Sequence, residues 1–228
     1  MKLVVFDCDG TIVDSQHLIV EAMTRGFAGE GLVAPGRNEI LSVVGLSLPQ
    51  AVGVLMPGAA PDAVMRVAEG YKAAFGALRR DPAHHEPLFD GLAATIDALS
   101  ARDDMLLGIA TGKSRRGVDA LLERTGLADR FVTIQTADDN PSKPSPVMLL
   151  RALSEAGGIS ADRAVMIGDT TFDIDMALSA RMKAIGVAWG YHPVAALEGR
   201  GAHVIASAGS ELVSLVDRLI GDVESEMA

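Results

Sequence analysis

Short apolar runs mark the start of the chain and recur through its second half. Leu3 to Phe6 is a run of four apolar residues that stops at Asp7, Cys8 and Asp9. A short apolar run bounded by turn residues is typical of a strand buried on both faces. The same pattern predicts five further strands, at Met105 to Ala110, Phe131 to Gln135, Ala164 to Ile167, Ala184 to Val187 and His203 to Ala206.

Helical periodicity separates most of these strands. It predicts helices at Gly91 to Ala101, Ser114 to Thr125, Pro146 to Ala156, Ile174 to Ala180 and Ser210 to Leu219. Strands that alternate with helices imply a parallel sheet with right-handed crossovers. The pattern therefore predicts an α/β fold with a doubly wound, Rossmann-like parallel sheet.

Residues 15–81 have a different pattern, with helical periodicity and no strand. Ser15 is expected to cap the first helix, which ends at Gly29 to Gly31. Further helices are predicted at Arg37 to Val44, Pro49 to Met56 and Pro61 to Arg80. We therefore interpret residues 15–81 as an inserted all-helical cap domain and residues 1–14 and 82–228 as the core domain, with hinges near Asp14 and Pro82.

The segment from Asp81 to Pro87 is polar and has a proline near each end, which predicts a solvated linker returning from the cap. His84 and His85 resemble metal ligands, but neighbours in sequence face different directions and no third ligand is close in sequence. Residues 224–228 are expected to be a frayed tail.

Composition and net charge limit the fold classes and the binding partners that we expect for this chain. The chain of 228 residues is 49% hydrophobic but only 4% aromatic, which suits helices packed on an aliphatic sheet. Its net charge of −10 argues against non-specific binding to nucleic acid or to an anionic membrane. With no apolar run near the ~20 residues of a membrane helix and no charged-then-apolar leader, we expect a soluble cytoplasmic protein. Monomer is the default expectation, because the core faces account for the apolar residues.

The single cysteine, Cys8, has no partner for an internal disulfide, which fits a reducing compartment. It lies between Asp7 and Asp9, and nearby negative charge raises a thiol pKa and suppresses the reactive thiolate. A catalytic role for Cys8 is therefore not expected.

Polar residues follow four of the predicted strands and would meet at the carboxyl edge of the sheet, where open α/β sheets bind ligands. They are Asp7 and Asp9, Thr111 and Gly112, Lys143, and Asp169 with Asp173. Like charges a few ångströms apart repel by about 4 kcal/mol at an effective dielectric of about 20, so the carboxylates need a cation. Oxygen ligands without His or Cys favour Mg²⁺ over zinc. A threonine hydroxyl, a glycine amide and a lysine suit a phosphate, which predicts a phosphoryl-transfer site.

This order of motifs resembles the haloacid dehalogenase superfamily of Mg²⁺-dependent phosphohydrolases. The helical insertion, together with Thr136 to Asp139, Lys143 to Pro146 and Val187 to Tyr191, is similar to the phosphoglycolate phosphatase-like branch of that superfamily. The resemblance covers nearly the whole chain. It implies a hydrolase that acts on a small-molecule phosphate monoester and uses Mg²⁺ as its cofactor.

The resemblance also implies a role for each motif residue. Asp7 would be the nucleophile that forms a phospho-aspartyl intermediate, and Asp9 the general acid and later the general base, with its backbone carbonyl on Mg²⁺. Thr111, Gly112 and Lys143 would bind the transferring phosphoryl group. Asp7, Asp9 and Asp169 would be metal ligands, and Asp173 would act through a water molecule or by supporting those ligands.

Two stretches depart from the pattern of the family. Arg181 stands where relatives usually have a glycine. Gly45, Leu46 and Ser47 match the position of the substrate-contacting loop of the cap, but the loop lacks the basic residue that often meets a second anionic group. Which of Leu46, Ser47, Arg37, Lys113 and Arg115 face the pocket is left open.

Several substrates and functions stay open at this stage. Phosphoglycolate is the leading single substrate, weakened by the missing basic residue, and a phosphosugar, pyrophosphate or a nucleotide is the alternative. A 2-haloacid dehalogenase has the same fold but needs no metal and no acid two residues after the nucleophile, so the presence of Asp9 argues against that activity. A two-component receiver domain, which signals through a phospho-aspartate, places that residue after the third strand and has no cap. A non-catalytic binding protein would have no need of the complete motif set.

Overall fold

Six strands form one parallel sheet in the computed structural model, which describes residues 1–81, 84 and 86–221. The strands are β1 (Lys2–Phe6), β2 (Met105–Thr111), β3 (Thr133–Thr136), β4 (Ala164–Gly168), β5 (Lys183–Val187) and β6 (Val204–Ala206). Their order in space is β3-β2-β1-β4-β5-β6, and every neighbouring pair is parallel. The predicted doubly wound α/β fold is confirmed, with β1 in the centre where the direction of winding reverses.

Helices cover both faces of the sheet. They are α5 (Leu92–Ser100), α6 (Arg115–Thr125), α7 (Val147–Glu155), α8 (Thr171–Ser179), α9 (Val194–Gly199) and α10 (Leu212–Ile220). Val4 and Phe6 of β1 pack with α5, α6 and α10, whereas Leu3 and Val5 pack with α7, α8 and α9. Successive side chains of a strand point to opposite faces, and both faces of β1 are buried, which explains its uninterrupted apolar sequence.

Four helices lie between β1 and α5. They are α1 (Gln16–Gly29), α2 (Arg37–Leu41), α3 (Leu48–Leu55) and α4 (Pro61–Leu78). They have a hydrophobic core of their own, to which α1 contributes Ile19 and Met23, α3 contributes Val52 and α4 contributes Val67. This helical unit is called the cap below. The domain boundary predicted at Pro82 lies outside the described residues, as do His85 and the tail at 224–228.

The two chain crossings between the core and the cap lie side by side. The amide of Asp14 donates to the carbonyl of Pro87 at 2.9 Å, and the amide of Phe89 donates to the carbonyl of Ile12 at 3.0 Å. The cap therefore leaves and rejoins the core at one place, directly after Asp7 and Asp9.

Three local features differ from the predictions. Helix α9 was not predicted, since it has six residues of which only Leu197 is buried. Helix α8 begins at Thr171, three residues earlier than predicted, because Thr170 and Asp173 form a capping box. Glu86, predicted to lie in a solvated linker, is buried.

At Arg181 the backbone has φ 59°, so this arginine adopts the left-handed conformation that glycine favours.

No helix of residues 1–81, 84 and 86–221 combines the length and the apolarity that a membrane-spanning segment needs.

Candidate active site

The carboxyl edge of the sheet brings together five of the residues predicted from the sequence. Asp7 follows β1, Thr111 ends β2 and Asp169 follows β4. Lys143 comes from the loop after β3, and Asp173 lies in the first turn of α8. All five are buried, although each carries a polar or charged side chain. Burial of so many polar groups is costly unless they pair with one another or with a ligand.

Three of the carboxylates form an acid cluster. Asp7, Asp169 and Asp173 each offer one oxygen, and these oxygens lie within 4.8 Å of one another. Asp169 is held in place because its two oxygens accept hydrogen bonds from the hydroxyl of Thr11 and the amide of Tyr191, both at 2.9 Å. Burial, followed by the charges of Asp173 and Asp7, raises the pKa of Asp169 well above its ordinary value.

Gly10 allows this approach of the carboxylates. Its backbone has φ 87°, in the region that favours glycine, and a β-carbon at this position would overlap the carboxylate of Asp169. The turn after β1 can therefore lie directly against the end of β4.

Lys143 is the only cation among the described residues that pairs with the acid cluster. Its ammonium group lies 3.0 Å from Oδ1 of Asp7 and 2.6 Å from Oδ1 of Asp173. The other oxygen of Asp173 accepts hydrogen bonds from the amide of Thr170 at 3.0 Å and from its hydroxyl at 2.7 Å. Although burial lowers the pKa of Lys143, the charges of Asp173 and Asp7 outweigh that effect and raise it, so the lysine stays protonated.

Asp7 is the least satisfied carboxylate of the cluster. Neither of its oxygens accepts a hydrogen bond from the residues that the structure describes, since the contact with Lys143 is an ion pair without hydrogen-bond geometry. Burial, with the nearby charges of Asp173 and Asp9, raises the pKa of Asp7 to about 6 despite Lys143. Three carboxylates and one lysine leave two uncompensated negative charges. An oxygen-ligated divalent cation such as Mg²⁺ fits both this charge and the free oxygens of Asp7.

The side chain of Asp9 lies apart from the acid cluster. Its Oδ1 accepts hydrogen bonds from the hydroxyl of Ser15 at 2.5 Å and from the ammonium of Lys113 at 2.7 Å. Ser15 precedes α1 at the expected capping position, but its side chain does not cap the helix. The hydroxyl instead points back toward Asp9, because the start of the cap lies over the end of β1.

Glu86 was not predicted to belong to the site. Its side chain is fully buried, and it pairs with Lys113 at 2.8 Å, with Arg124 at 3.4 Å and with Arg79 at 3.6 Å. Although burial raises the pKa of Glu86, Lys113, Ser15 and Arg79 together lower it. Of its cationic partners, Arg124 lies on α6, Lys113 precedes α6 and Arg79 follows the end of α4. The sequence around Glu86 does not indicate this network.

Thr111 and Gly112 line the site beside Asp7. The hydroxyl oxygen of Thr111 accepts a hydrogen bond from the amide of Lys113 at 3.2 Å, which leaves its proton to donate to a ligand. Gly112 faces the cap, and a β-carbon there would lie 2.8 Å from the carbonyl oxygens of both Gly45 and Leu46. The cap loop therefore sits directly on the end of β2.

The cap loop encloses a cavity over the acid cluster. The amide of Ser47 donates to the hydroxyl of Ser142 in the core at 2.7 Å, which fastens the loop to the lysine-bearing loop of the core. The cavity has a volume of about 900 Å³, and Asp7 and Asp9 are among the residues that line it. Tyr71 and Phe75 of α4 contribute to its apolar wall.

Cations surround the cavity although the protein as a whole is acidic. They are Lys72, Arg79, Arg80, Lys113 and Arg116. Among the residues whose orientation the sequence left open, Leu46, Ser47 and Lys113 line the cavity and Arg37 and Arg115 do not. The basic side chains missing from the cap loop are thus supplied mainly by α4 and α6.

Comparisons with known proteins agree with this geometry. The family model of haloacid dehalogenase-like hydrolases matches residues 4–187. The chain is 35% identical over 222 residues to the probable phosphatase IndB of Dickeya dadantii, covering 96% of this chain and 94% of the relative. It is 33% identical to the phosphoglycolate phosphatase of Rhodospirillum rubrum, covering 86% and 84%. A predicted phosphatase from Clostridium acetobutylicum has a solved structure with the same fold, with a TM-score of 0.84, 24% identity and coverage of 96% of this chain and 99% of that one.

The acid cluster, the lysine and the helical cap are therefore found on a chain that is more than 30% identical to proteins named as phosphatases. The protein is a hydrolase that acts on phosphoric monoesters, and it belongs to the phosphoglycolate phosphatase-like branch of the haloacid dehalogenase-like hydrolases.

Proposed function

We propose that this protein is a Mg²⁺-dependent phosphatase that hydrolyses a small phosphate monoester through a phospho-aspartyl intermediate on Asp7, with phosphoglycolate as the leading single substrate. The observation that carries the proposal is the state of Asp7. It is a buried carboxylate that lines the cavity and lies 3.0 Å from Lys143, and neither of its oxygens accepts a hydrogen bond from the described part of the chain. A nucleophile that must reach a phosphorus atom needs an oxygen that is not already engaged in a hydrogen bond.

The residues that would hold Mg²⁺ are Asp7, Asp169 and Asp173, together with the backbone carbonyl of Asp9. Asp173 would act through a water molecule or by supporting the direct ligands, because both of its oxygens already accept hydrogen bonds. When bound, the ion supplies positive charge that keeps Asp7 ionised and stabilises the negative charge on the phosphoryl oxygens.

The first half-reaction transfers the phosphoryl group to the protein. A carboxylate oxygen of Asp7 attacks phosphorus, the bond from phosphorus to the ester oxygen breaks, and Asp9 donates a proton to the departing alkoxide. Lys143, the hydroxyl of Thr111 and the amide of Gly112 bind the phosphoryl oxygens. Such positioned donors stabilise the charge that spreads over these oxygens in the transition state.

The second half-reaction releases phosphate. The carboxylate of Asp9 removes a proton from a water molecule, the water oxygen attacks phosphorus, and the bond to Asp7 breaks. This restores Asp7 as a carboxylate and Asp9 as the protonated acid. The cap loop over Gly112 limits access of bulk water while the intermediate exists.

Phosphoglycolate is supported by the charge of the cavity. Its carboxylate requires a cation at some distance from the phosphate, and Arg79 and Arg80 at the end of α4 line the same cavity as Asp7. Arg80 forms no salt bridge with any residue of the described part of the chain, so its charge is available to a ligand. The name of the Rhodospirillum rubrum relative points the same way.

A phosphosugar is the second candidate, and the size of the cavity favours it. A volume of about 900 Å³ is in the upper range for sites that enclose drug-sized molecules and exceeds what phosphoglycolate requires. Pyrophosphate would leave the apolar wall formed by Tyr71 and Phe75 without a function.

Release of phosphate from p-nitrophenyl phosphate in the presence of Mg²⁺ tests the proposal. We expect activity in the wild type and its abolition in Asp7→Asn. Asp9→Asn should lose about 10²- to 10⁴-fold, because hydrolysis of the intermediate needs Asp9 as general base even though p-nitrophenolate leaves without a proton. Asp139→Asn, an exposed acid outside the acid cluster, is the control and should retain full activity. A wild type that is inactive toward this ester and toward a panel of phosphometabolites would contradict the proposal. The same panel ranks phosphoglycolate against phosphosugars.

The proposal includes no nucleic-acid or membrane partner, since the net charge of −10 disfavours both. The expectation of a cytoplasmic monomer stays a prediction, which cell fractionation and size-exclusion chromatography check.

A further inference from the structure

Glu86 lies at the point where the cap rejoins the core and is the centre of a buried charge network. Its carboxylate pairs with Lys113 and with Arg79 and Arg124, and the hydroxyl of Ser15 lies 3.0 Å from its Oε1. Arg79 ends the last helix of the cap and Ser15 precedes the first one. The carboxylate of Glu86 thus contacts residues at both ends of the cap.

Two groups connect Glu86 to Asp9. The ammonium of Lys113 lies 2.8 Å from Oε1 of Glu86 and 2.7 Å from Oδ1 of Asp9. The hydroxyl of Ser15 lies 3.0 Å from the same oxygen of Glu86 and 2.5 Å from the same oxygen of Asp9. Lys113 is also restrained by the ring of Phe75, whose centre is 5.1 Å from the ammonium. Lys113 can donate to both carboxylates at the same time, whereas the single proton of the Ser15 hydroxyl is shared between them, so the lysine is the main bridge.

This bridge distinguishes the two oxygens of Asp9. Both donors reach Oδ1, whereas Oδ2 accepts no hydrogen bond from any residue in the described part of the chain. The side chain is 14% exposed and lines the cavity. A proton exchanged with substrate or water would therefore be carried by Oδ2. The hydrogen bonds to Oδ1 fix the orientation of the carboxylate and so the direction in which Oδ2 points.

We propose that Glu86 is a positioning residue for Asp9, which it orients through Lys113 and Ser15 so that Oδ2 faces the bond to be broken. The inference rests on the proposed function, because it assumes that Asp9 transfers protons. Glu86 itself touches no reacting atom. It also makes the geometry of Asp9 depend on the cap, because Ser15 and Arg79 move with the two ends of the cap.

A buried ion pair is weak evidence of a purely stabilising role. Replacing such a pair with apolar residues of similar volume is often neutral or stabilising. Orientation of a proton-transfer group, in contrast, requires a fixed and directional contact, and misplacement by about 1 Å can reduce a rate by about 100-fold. The bridge through Lys113, supported by Ser15, supplies a contact of that kind.

The choice of leaving group gives a kinetic test. Glu86→Gln keeps the shape of the side chain and removes its charge. Rapid-mixing measurements would compare transfer of the phosphoryl group to Asp7 from phosphoglycolate, whose alkoxide must be protonated, and from p-nitrophenyl phosphate, whose phenolate leaves unprotonated. We expect a decrease of about 100-fold for phosphoglycolate and little change for p-nitrophenyl phosphate. Equal decreases for both esters would overturn the proposal.

Arg124→Gln is the matched control. Arg124 contacts Glu86 only through Oε2, at 3.4 Å, and the backbone carbonyl, at 3.1 Å, on the side away from Asp9. It should lower stability without changing the ratio of the two rates. If Glu86→Gln folds poorly, Ser15→Ala removes one arm of the bridge and leaves every charge in place. This variant should show the same preferential loss with a smaller magnitude, and an unchanged ratio would overturn the proposal.

A measurement without turnover separates this inference from the proposed function. The shifts in melting temperature caused by Glu86→Gln and Asp9→Asn should not add in the double variant, because the two residues share Lys113 and Ser15. The shifts caused by Arg124→Gln and Asp9→Asn should add. Additive shifts for Glu86→Gln and Asp9→Asn would overturn the inference even if the enzyme is active. If no ester is hydrolysed, non-additive shifts would still show that Glu86 positions Asp9, while the proposed function itself would fail.

Discussion

Asp7 and Asp9 are two residues apart on one strand end, yet each pairs with a different lysine. Lys143 lies 3.0 Å from Oδ1 of Asp7 and Lys113 lies 2.7 Å from Oδ1 of Asp9. Asp7 belongs to the acid cluster, whereas Asp9 is restrained by a lysine that also pairs with Glu86. Different surroundings for two neighbouring acids are the means by which one site obtains both a nucleophile and a proton-transfer group.

Binding of Mg²⁺ should stabilise the folded protein, because it neutralises the two excess negative charges of the acid cluster. At a concentration one hundred times the dissociation constant, the free energy of unfolding should increase by about 2.7 kcal/mol. Differential scanning calorimetry with and without EDTA measures the effect. Asp169→Asn should remove the shift, whereas Asp139→Asn, an exposed acid, should retain it. A shift that persists in Asp169→Asn would place the ion elsewhere.

The stability that Glu86 contributes should depend on pH. Burial raises its folded-state pKa, but Lys113, Ser15 and Arg79 together lower it below the ordinary value, so the contribution is fully present above about pH 4.3 and is lost as pH falls through the lower folded value. Glu86→Gln should reduce the free energy of unfolding by about 1.5–3 kcal/mol at pH 7, since it removes the charged partner of Arg79 and Arg124 and leaves Lys113 paired with Asp9 alone. Urea titrations from pH 7 down to pH 3 should show this difference shrinking.

The matched control for that experiment is Glu123→Gln. Glu123 lies on α6, is exposed and forms no salt bridge among the described residues. Its substitution should change stability by less than about 0.5 kcal/mol at any pH. If the difference in the free energy of unfolding between the wild type and Glu86→Gln stays constant with pH, then lost packing rather than lost charge causes it.

Gly112→Ala should impair closure of the cap loop. The added methyl group would lie 2.8 Å from the carbonyl oxygens of Gly45 and Leu46, which are backbone atoms with little freedom to move. We expect kcat/KM to fall by about 10- to 100-fold. Gly53→Ala on α3 is the control, because nothing lies within 4 Å of its added carbon and alanine stabilises a helix by about 0.5–1 kcal/mol. Unchanged kinetics in Gly112→Ala would mean that the loop is not close to the core during turnover.

Arg80→Met should weaken binding of substrates with a second anionic group. Loss of a charge-assisted hydrogen bond worth about 1.5–3 kcal/mol predicts an increase in KM of at least about 10-fold for phosphoglycolate. The KM for p-nitrophenyl phosphate should not change, because this ester carries no second anion. Arg115→Met is the control, since Arg115 is exposed and pairs with Asp119 away from the cavity. An equal increase for both esters would indicate general electrostatic attraction instead.

Cys8 should be unreactive in the folded protein. Burial, followed by the charges of Asp7 and Asp9, raises its pKa far above the ordinary range. Labelling with a thiol reagent should occur only after unfolding in urea, and Cys8→Ala should retain full kcat. Rapid labelling of the native protein would show that the end of β1 opens readily.

The positions of Asp7, Thr111 and Asp169 follow from the sequence because each stands where an apolar run ends. A strand buried on both faces stops where polar residues begin, and parallel strands end at the same edge. The same logic predicted the doubly wound sheet. It could not predict α9, whose single buried residue, Leu197, leaves no amphipathic pattern to detect.

Glu86 could not be predicted because its environment is not local. The surrounding sequence contains histidines and prolines, which are typical of an exposed linker. Its burial depends on Arg79, Lys113 and Arg124, which come from separate segments and meet only once the cap has packed on the core. Ser15 illustrates the same limit, since a helix-capping residue by position has its hydroxyl directed at Asp9.

The pairing of the two chain crossings also bears on how such an enzyme can diversify. Asp14 and Pro87 remain one hydrogen bond apart, so the length and sequence of the chain between them do not alter the separation of their backbones. Closing a longer loop costs only about 0.6 kcal/mol for each doubling of its length. Insertions, deletions or an exchanged helical segment between these positions could therefore give the protein a new substrate range while Asp7 and the strands that hold it stay in place.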